Sequence, residues 1–464
     1  MLAGRETELN ALKGYYDRVG SQIMVVYGQK GVGKTTMIEE FLEDKSYLYY
    51  EAVSCSTRQQ MVYLGRHLKD MGFSLPEYPD FEDVFRLFST DTVRKQVLVI
   101  DEFQHLCKTD TLFFEALFQY LTNEKEKRSI FIILLSSSIS WVENTMAAKL
   151  GEFSQVITDS FKLKELTYRD FTENFPGFSS ADSIGAYAVL GGIPGLWQYF
   201  NDEFSLRENI ETFILQSNEK LFDYGQQYVA EELRETAVYN TILCALAEGK
   251  NKLNELYQHT GFSRAKISVY LKNLIQLELV EKVSSMETEG RENAQKGLYR
   301  IRHAYVHFYY RYLFPCQNKL SIMEADEFYE EYIEPTFRQY AEDYFVKACR
   351  EFLERENLAR RLPFEYSRMG QWIGKAGNID FLLEDEEKNI LAGICIWEKD
   401  MLTYADYEEL LFLQKQAKIH ADFVILFSAS RFDQALQIEA KKNPCLALLT
   451  ADQLKNNQTL VQRI

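Results

Sequence analysis

The chain has no long apolar run, no clustered cysteines and no positive net charge. Its apolar runs, such as Ile130–Leu135, have the length of a strand, whereas a bilayer-spanning helix needs about 20 residues. Charges at Arg5 and Glu6 fall where a secretion signal needs an apolar stretch. We therefore expect a cytoplasmic protein that does not enter a membrane.

Seven cysteines occur without a Cys-x-x-Cys pair, and six histidines show no ligand spacing. These patterns indicate reduced thiols and no metal cage of those residue types. The net charge of −17 excludes a general polyanion binder, so any nucleic-acid contact needs a local basic patch. A length of 464 residues suggests about three domains.

Short apolar runs alternate with helical patterns over residues 1–165, which predicts a parallel α/β sheet. The expected strands are Gln22–Tyr27, Ser46–Val53, Gln96–Asp101, Ser129–Leu135 and Gln155–Phe161. Residues 166–236 are expected to be helical, 237–315 to form a helix-turn-helix with a wing, and 324–464 to mix helix and strand. The strands predicted in that last segment are Ile379–Leu383, Ile390–Trp397, Phe423–Phe427 and Cys445–Leu449.

The segment Gly28–Thr35 matches the P-loop pattern, and it follows an apolar strand and opens a helical segment. Glycines let successive backbone N–H groups face phosphate oxygens, and the helix N-terminus adds its positive end. Lys34 is expected to act in catalysis on the β- and γ-phosphates, and the Thr35 hydroxyl to ligate Mg²⁺. The predicted nucleotide-binding residues here are Gly28, Gln29, Lys30, Gly31, Val32, Gly33, Lys34, Thr35 and Thr36.

An apolar strand ends in Asp101 and Glu102, as the second half of such a site requires. We expect Asp101 to hold Mg²⁺ and Glu102 to accept a proton from the attacking water. The strand Ser46–Val53 lies between the two motifs, and we expect it to separate the phosphate strand from the acid strand. That arrangement is typical of P-loop proteins with their own catalytic glutamate, so hydrolysis is plausible.

The serines that follow the next strand suggest a γ-phosphate sensor at Ser137, with a helix cap as the alternative. No arginine occurs between Ser129 and Tyr168, so this region offers no arginine finger. Slow turnover, or an arginine supplied by a protein partner, is the expected consequence.

These residues resemble the archaeal-type ATPase family, a group within the STAND-like P-loop ATPases. The resemblance rests on Gly4–Leu9, the P-loop, Asp101-Glu102-Phe103-Gln104, the serine strand and Gly191–Pro194. It implies ATP as the nucleotide, with Arg5 near its base and Pro194 in a helical lid over it, so that residues 166–236 form this lid. The family often carries Gly-Arg where this chain has Gly151-Glu152.

A helix-turn-helix is indicated by Leu253–Thr260, the Gly261 turn, the Ser263 cap and the apolar stripe that begins at Ile267. The family resemblance also implies a winged helix here. Cations able to meet DNA phosphates are Arg264, Lys266, Lys272, Arg291, Lys296, Arg300 and Arg302. The alternative is a rigid spacer or protein-docking module whose charges are solvated.

The resemblance further implies a C-terminal restriction-endonuclease-like domain of the PD-(D/E)XK type over 324–464. Asp380 and Glu342 suit two of its acids, but Ile394 and Ile396 stand where Glu-x-Lys is required. We interpret its active site as degenerate. The sequence thus predicts a slow Mg²⁺-dependent ATPase that acts as a nucleotide-controlled switch, with double-stranded DNA as a candidate partner of the winged helix. The alternatives are a protein-interaction switch without nucleic acid, a DNA-binding regulator in which ATP has only a structural role, and an ATP-dependent nuclease.

Overall fold

The computed structural model describes residues 4–89, 95–107, 110–123, 129–286 and 297–456. The chain divides into two compact units: one comprises Met1–Leu166 with Ile193–Gly195, and the other comprises Thr167–Gly192 with Leu196–Ile464. Among the described residues, no helix is both long enough and apolar enough to cross a membrane.

The first unit is built on a five-stranded parallel sheet in the order β2-β3-β4-β1-β5. Its strands are β1 Gln22–Tyr27, β2 Tyr47–Glu51, β3 Gln96–Asp101, β4 Ile130–Ser136 and β5 Asp159–Lys162. Its helices are α1 Glu6–Tyr16, α2 Lys34–Leu42, α3 Thr57–Asp70, α4 Phe81–Arg86, α5 Gln104–Cys107, α6 Leu112–Asn123, α7 Ile139–Asn144 and α8 Met146–Leu150.

The strand order corrects one prediction about the sheet. The strand predicted at Ser46–Val53 is β2, which pairs only with β3 and lies at the edge of the sheet. The strand between β1 and β3 is β4, because β4 pairs with both of them in parallel register. An extra strand therefore does separate the phosphate strand from the acid strand, but it comes from later in the chain.

Burial explains why the central strands form where the apolar runs predicted them. Every residue of β4 is buried, and the four middle residues of β1 are at most 2% exposed. Strands covered on both faces by helices are apolar along their whole length rather than at alternate positions. The prediction for β5 began too early, because Gly151–Val156 forms a 3₁₀ helix instead.

The second unit begins with helices that lead into the helix-turn-helix. These are α9 Tyr168–Asn174, α10 Ser180–Leu190, α11 Pro194–Trp197 (whose first two residues group with the first unit), α12 Leu206–Phe213, α13 Tyr224–Glu232, α14 Thr236–Ala247, α15 Leu253–Thr260 and α16 Arg264–Gln276. A two-stranded antiparallel wing follows, with β6 Val280–Val283 and β7 Leu298–Ile301. The residues predicted for the wing tip, including Arg291 and Lys296, lie outside the described part of the chain.

Local sequence sets the turn between α15 and α16. Gly261 has a φ of +71°, a conformation that favours glycine, and it ends α15. The Ser263 hydroxyl accepts a hydrogen bond from the Lys266 amide at 3.2 Å and so caps α16. Ile267, Leu271 and Leu274 are buried on one face of α16, as their spacing predicted.

The C-terminal part of the second unit is a mixed α/β sheet in the order β14-β12-β10-β9-β8. The strands are β8 Arg368–Ile373, β9 Asn378–Glu384, β10 Ile390–Ile396, β11 Met401–Leu402, β12 Phe423–Ser428, β13 Arg431–Phe432 and β14 Leu446–Thr450. The helices are α17 Ala304–Phe308, α18 Gln317–Leu320, α19 Ala325–Phe328, α20 Glu334–Leu358, α21 Tyr404–Ala417, α22 Gln434–Lys442 and α23 Ala451–Lys455. Strands β8, β11 and β13 are additions to the predicted set, and β11 and β13 pair in parallel as a separate two-stranded sheet.

Candidate nucleotide site

The P-loop lies between β1 and α2, and its shape depends on glycine. Gly33 has a φ of +95° where α2 begins. A Cβ on Gly28 would lie 2.4 Å from the Leu163 carbonyl oxygen, so no larger residue fits there. The loop therefore takes a close turn against β5 and leads directly into the first turn of α2, where backbone N–H groups are available to an anion.

The Lys34 ammonium lies inside this loop. Its Nζ donates to the carbonyl oxygens of Gly28 at 2.8 Å and Gln29 at 3.0 Å, and the side chain is only 6% exposed. These carbonyls hold a positive charge at the centre of the loop. An ammonium in this position can bind phosphate oxygens that the loop surrounds.

Asp101 ends β3 beside Thr35, so the structure brings together the two residues predicted to hold Mg²⁺. The Thr35 hydroxyl donates to Asp101 Oδ2 at 3.2 Å, and Asp101 is 7% exposed. A hydroxyl and a carboxylate oxygen are ligands that suit a hard cation such as Mg²⁺. These two residues therefore fit the ion that the P-loop pattern implies.

Tyr49 is a site residue that the sequence analysis missed. It lies on β2, next to β3, and its hydroxyl donates to the same Asp101 Oδ2. Burial, followed by the neighbouring Asp101 carboxylate, raises the pKa of Tyr49 far above its usual value. The phenol therefore remains a hydrogen-bond donor to Asp101 at all working pH values.

Glu102 follows Asp101 and is turned toward the end of β4. Its φ is +50°, and the next amide, that of Phe103, donates to the Leu135 carbonyl at 3.0 Å. This turn brings the Glu102 carboxylate to Ser137, whose hydroxyl donates to Oε2 at 2.8 Å and whose amide donates to it at 3.2 Å. The Gln104 side-chain amide donates to the same Oε2.

The electrostatics of Glu102 favour the carboxylate form. Burial opposes ionisation, but hydrogen bonds from Gln104 and Ser137, with the charge of Lys34, lower the pKa of Glu102 below its usual value. Glu102 is therefore anionic at neutral pH, as a proton acceptor must be. The Ser137 hydroxyl contacts this carboxylate, and the helix that follows has Ser138 as its N-cap.

Arg5 donates hydrogen bonds to the backbone of the P-loop and of the segment that follows β5. It is 2% exposed, and its guanidinium donates to the carbonyl oxygens of Val32 and Lys164, each at 2.8 Å. Its predicted place near the nucleotide base stays a prediction. Its observed hydrogen bonds are with these two carbonyls and with the Glu8 carboxylate, at 3.4 Å. Sequence spacing gives no sign of these contacts, since Lys164 is 159 residues away.

The segment Ile193–Gly195, which includes Pro194, groups with the first unit. The Gly195 amide donates to the Gly31 carbonyl at 2.9 Å. A Cβ on Gly195 would lie 2.9 Å from Gly31 Cα and from its carbonyl oxygen, so this approach requires glycine. Pro194 therefore lies beside the P-loop backbone.

The cations predicted to contact DNA fall into two groups. Arg264, Lys266 and Lys272 are exposed on α16. Arg300 lies on the wing and pairs with Glu281 at 3.4 Å and Asp343 at 3.8 Å. Arg302 likewise pairs with Glu278, at 3.0 Å. The exposed cationic surface is therefore that of α16.

The C-terminal acids lie where β9 and β10 meet α20. Asp380 Oδ2 accepts a hydrogen bond from the Cys395 amide at 2.9 Å. Burial raises the pKa of Asp380 to about 6, and burial with the nearby Glu398 carboxylate raises that of Glu342 to about 7. Within the described ranges, no three His, Cys, Asp or Glu side chains gather to hold a metal ion.

The face of β10 differs from the one that the sequence analysis assumed. Ile394 and Ile396 pack into the core on the side of α21. The residues turned to α20, on the side of Asp380, are Cys395 and Trp397, whose ring lies 4.9 Å from that of Phe345. Neither is a Glu or a Lys, so Glu-x-Lys is absent from either face of this strand.

The comparisons with known proteins agree with this architecture. Residues 2–200 match the family described as an ATPase domain predominantly from Archaea. Residues 240–282 match the bacterial regulatory protein, arsR family, and residues 309–410 match archaeal and bacterial proteins of unknown function. An uncharacterised protein of Methanocaldococcus jannaschii is 29% identical over 406 residues, which cover 84% of this chain and 86% of that protein.

Two solved structures are similar at low identity. The Walker-type ATPase of Pyrococcus abyssi has a TM-score of 0.46 and 15% identity, over 66% of this chain and 95% of that chain. The ORC2 protein of Aeropyrum pernix, in ADPNP–ADP complexes, has a TM-score of 0.45 and 15% identity, over 69% of this chain and 94% of that chain. From these matches and the site geometry, the chain is a P-loop ATP hydrolase in which residues 2–200 are similar to an ATPase domain found predominantly in Archaea and residues 240–282 are similar to the arsR family. A C-terminal mixed-sheet domain follows.

Proposed function

We propose that this ATPase is slow and Mg²⁺-dependent, and that its nucleotide state controls a switch that contacts DNA. The observation that carries the proposal is the meeting of three charged groups at one loop: the Lys34 ammonium and the Asp101 and Glu102 carboxylates. Phosphoryl transfer needs these groups for charge neutralisation, metal binding and proton acceptance.

Each residue has one role in the proposed reaction. Lys34 and the loop N–H groups bind the β- and γ-phosphates. Thr35 and Asp101 would hold Mg²⁺, which would supply neutralisation of phosphate charge when bound. A water oxygen bonds to the γ-phosphorus, the bond from that phosphorus to the β-phosphate oxygen breaks, and ADP leaves. The proton lost by the water goes to Glu102. The region between Ser129 and Tyr168 contains no arginine, which supports slow turnover or an arginine supplied by a protein partner.

The position of Ile193–Gly195 supports a switch. This segment groups with the first unit, whereas the chain on both sides of it groups with the second. Its Gly195 amide bonds to Gly31, a residue of the predicted phosphate-binding loop. A change of loop conformation on nucleotide binding or hydrolysis therefore acts directly on the chain that continues into the second unit.

The recognition helix supports a DNA contact. Arg264 and Lys266 lie over aromatic rings, at 4.4 Å from the Tyr257 ring centre and 4.5 Å from that of Phe262. Stacking limits their motion while the side chains stay exposed, so less entropy is lost when they meet phosphates. Lys272 lies two turns further along the same helix and is also exposed. A helix-turn-helix places this helix in the major groove.

Steady-state hydrolysis by wild type and Glu102→Gln, with and without duplex DNA, tests the proposal. The substitution keeps the shape of the side chain and removes the proton acceptor, so turnover should fall about 100-fold or more while ATP still binds. Glu143→Gln is the control, because Glu143 is a surface acid of the same unit that pairs with Lys162 at 2.9 Å. Glu102→Gln with normal turnover would refute the proposed base.

DNA binding is tested separately, by fluorescence anisotropy over a salt series. Lys272→Glu should weaken binding and reduce the salt dependence, because a phosphate contact is lost. Lys319→Glu makes the same charge change on α18, away from the helix-turn-helix, and should leave affinity close to that of wild type. Equal affinity of both variants and wild type would favour the protein-interaction switch. ATP hydrolysis that increases when DNA is added would indicate coupling between the nucleotide site and the helix-turn-helix.

The nuclease alternative has less support. The strand beside Asp380 offers Cys395 and Trp397, which can neither complete a carboxylate metal site nor supply a lysine. Supercoiled plasmid incubated with the protein, ATP and either Mg²⁺ or Mn²⁺ should stay intact. If the plasmid is cleaved and Asp380→Asn abolishes the cleavage, the nuclease alternative would be supported.

A further inference from the structure

Gln104 is buried at the proposed catalytic centre and bonds to the proposed base. It is the first residue of α5, it is 2% exposed, and its side-chain amide donates to Glu102 Oε2. A carboxylate only accepts hydrogen bonds, so Gln104 must present its NH₂ group, and its own carbonyl oxygen points elsewhere. The orientation of this amide is thus fixed by chemistry.

The side-chain carbonyl oxygen of Gln104 argues against a purely structural role for this residue. Gln104 Oε1 is buried and has no hydrogen-bond partner in the described part of the chain. A glutamine that stabilises a fold is expected to satisfy both ends, since an unpaired buried acceptor costs free energy. Gln60 shows the contrast, since its Oε1 accepts from Tyr50 at 2.8 Å and its Nε2 donates to the Val53 carbonyl.

The hydrogen bonds on Glu102 are unequally divided between its two oxygens. Oε2 receives the Gln104 amide, the Ser137 hydroxyl and the Ser137 backbone amide. Three donors saturate that oxygen and fix the carboxylate plane, because they come from two different segments of the chain. Oε1 has no bond of this kind within the described residues, so a proton from water is accepted there.

We propose that Gln104 is a positioning residue for hydrolysis, which with Ser137 holds Oε2 of Glu102 so that Oε1 accepts the proton of the attacking water. The inference rests on the proposed role of Glu102 as the base. Gln104 touches neither nucleotide nor water in this scheme and acts only through Glu102. It extends the site to the third residue beyond Asp101.

The kinetics of Gln104→Met test this inference, since methionine fills a similar volume without a donor. We expect kcat to fall about ten-fold, a part of the usual contribution of a general base, with KM for ATP little changed. Damage to the fold would instead lower the melting temperature and change kcat and KM together.

Two further variants make the outcome decisive. Gln60→Met removes an equally buried glutamine of the same unit and should lower the melting temperature while leaving kcat close to that of wild type. Gln104→Glu keeps the length but replaces the donor amide with a second carboxylate against Glu102, so its kcat should fall at least as far as that of Gln104→Met, with KM for ATP little changed.

The result can be separated from the proposed function. If Glu102→Gln is inactive while Gln104→Met keeps the wild-type kcat, the positioning role is wrong and the base stands. If Glu102→Gln hydrolyses ATP normally, the base itself is wrong. A Gln104→Met protein that does not fold is replaced by Gln104→Glu, whose lower kcat at an unchanged KM supports the inference and whose wild-type kcat overturns it.

Discussion

Replacing Arg5 by methionine distinguishes a structural role from a role in nucleotide binding. In the wild type, the buried guanidinium donates to the Val32 and Lys164 carbonyls, each at 2.8 Å, and to Glu8 at 3.4 Å. A hydrogen bond from a charged donor contributes about 1.5–3 kcal/mol. Methionine recovers part of this by avoiding the cost of burying a charge. We therefore expect a net loss of about 2–4 kcal/mol from the first unit.

The loss should be visible in thermal unfolding. A domain of 150–250 residues loses about 2–4 °C of melting temperature per kcal/mol, so the transition of the first unit should fall by roughly 4–16 °C. Near-UV circular dichroism follows this transition without nucleotide, and isothermal titration gives the ATP affinity. Arg5→Lys keeps the charge but not the two-pronged donor geometry, so we expect an intermediate fall. Unchanged melting with a lost ATP affinity would refute this reasoning and place Arg5 at the nucleotide.

Three other perturbations have definite expected results. Tyr49→Phe removes a hydrogen bond from Asp101 and should raise the Mg²⁺ concentration for half-maximal hydrolysis, whereas Tyr47→Phe, at an exposed position of the same strand, should not. Gly195→Ala adds a Cβ 2.9 Å from the P-loop backbone and should weaken ATP binding, since overpacking costs about 1–3 kcal/mol, as titration calorimetry can measure. Burial lowers the pKa of His307 to about 3, below its usual 6.5, so the unfolded chain takes up the proton first. The free energy of unfolding should then fall below about pH 6.5, by up to about 1.4 kcal/mol per pH unit, and urea titrations of His307→Gln should show a smaller dependence.

The elements that the sequence predicted well are those whose burial is uniform. Strands β1 and β3 begin and end at the predicted residues, because continuous apolar runs there are bounded by turn residues. Strand β8 was missed because Arg368–Ile373 has mostly half-buried residues and contains Gly370, so neither an apolar run nor an alternation marks it. The start of β5 was misplaced because the residues before it fold into a 3₁₀ helix.

Site residues could be predicted where they belong to one contiguous motif, and they were missed where their contacts depend on distant parts of the chain. The P-loop and Asp101-Glu102 could be found because each motif is contiguous and its spacing carries the chemistry. Tyr49 could not be found, because its approach to Asp101 depends on β2 being the neighbour of β3, which no local pattern encodes. The contacts of Arg5 could not be predicted for the same reason, since both accepting carbonyls lie far along the chain.

Every charged group at the site already has a protein partner. The Lys34 ammonium bonds to loop carbonyls, Asp101 accepts from Thr35 and Tyr49, and Glu102 accepts from Ser137 and Gln104. Nucleotide binding is therefore an exchange for Lys34, which must replace carbonyl contacts with phosphate contacts. Glu102, by contrast, keeps its donors and has Oε1 for a new contact. Both oxygens of Asp101 already accept hydrogen bonds, since Oδ1 accepts from the Glu102 amide at 2.8 Å and Oδ2 from Thr35 and Tyr49. The side chains of the site are thus ordered when the protein folds, and no free energy is spent on ordering them during the reaction. Substitutions of the residues that donate to the carboxylates should therefore change kcat more than they change ATP affinity.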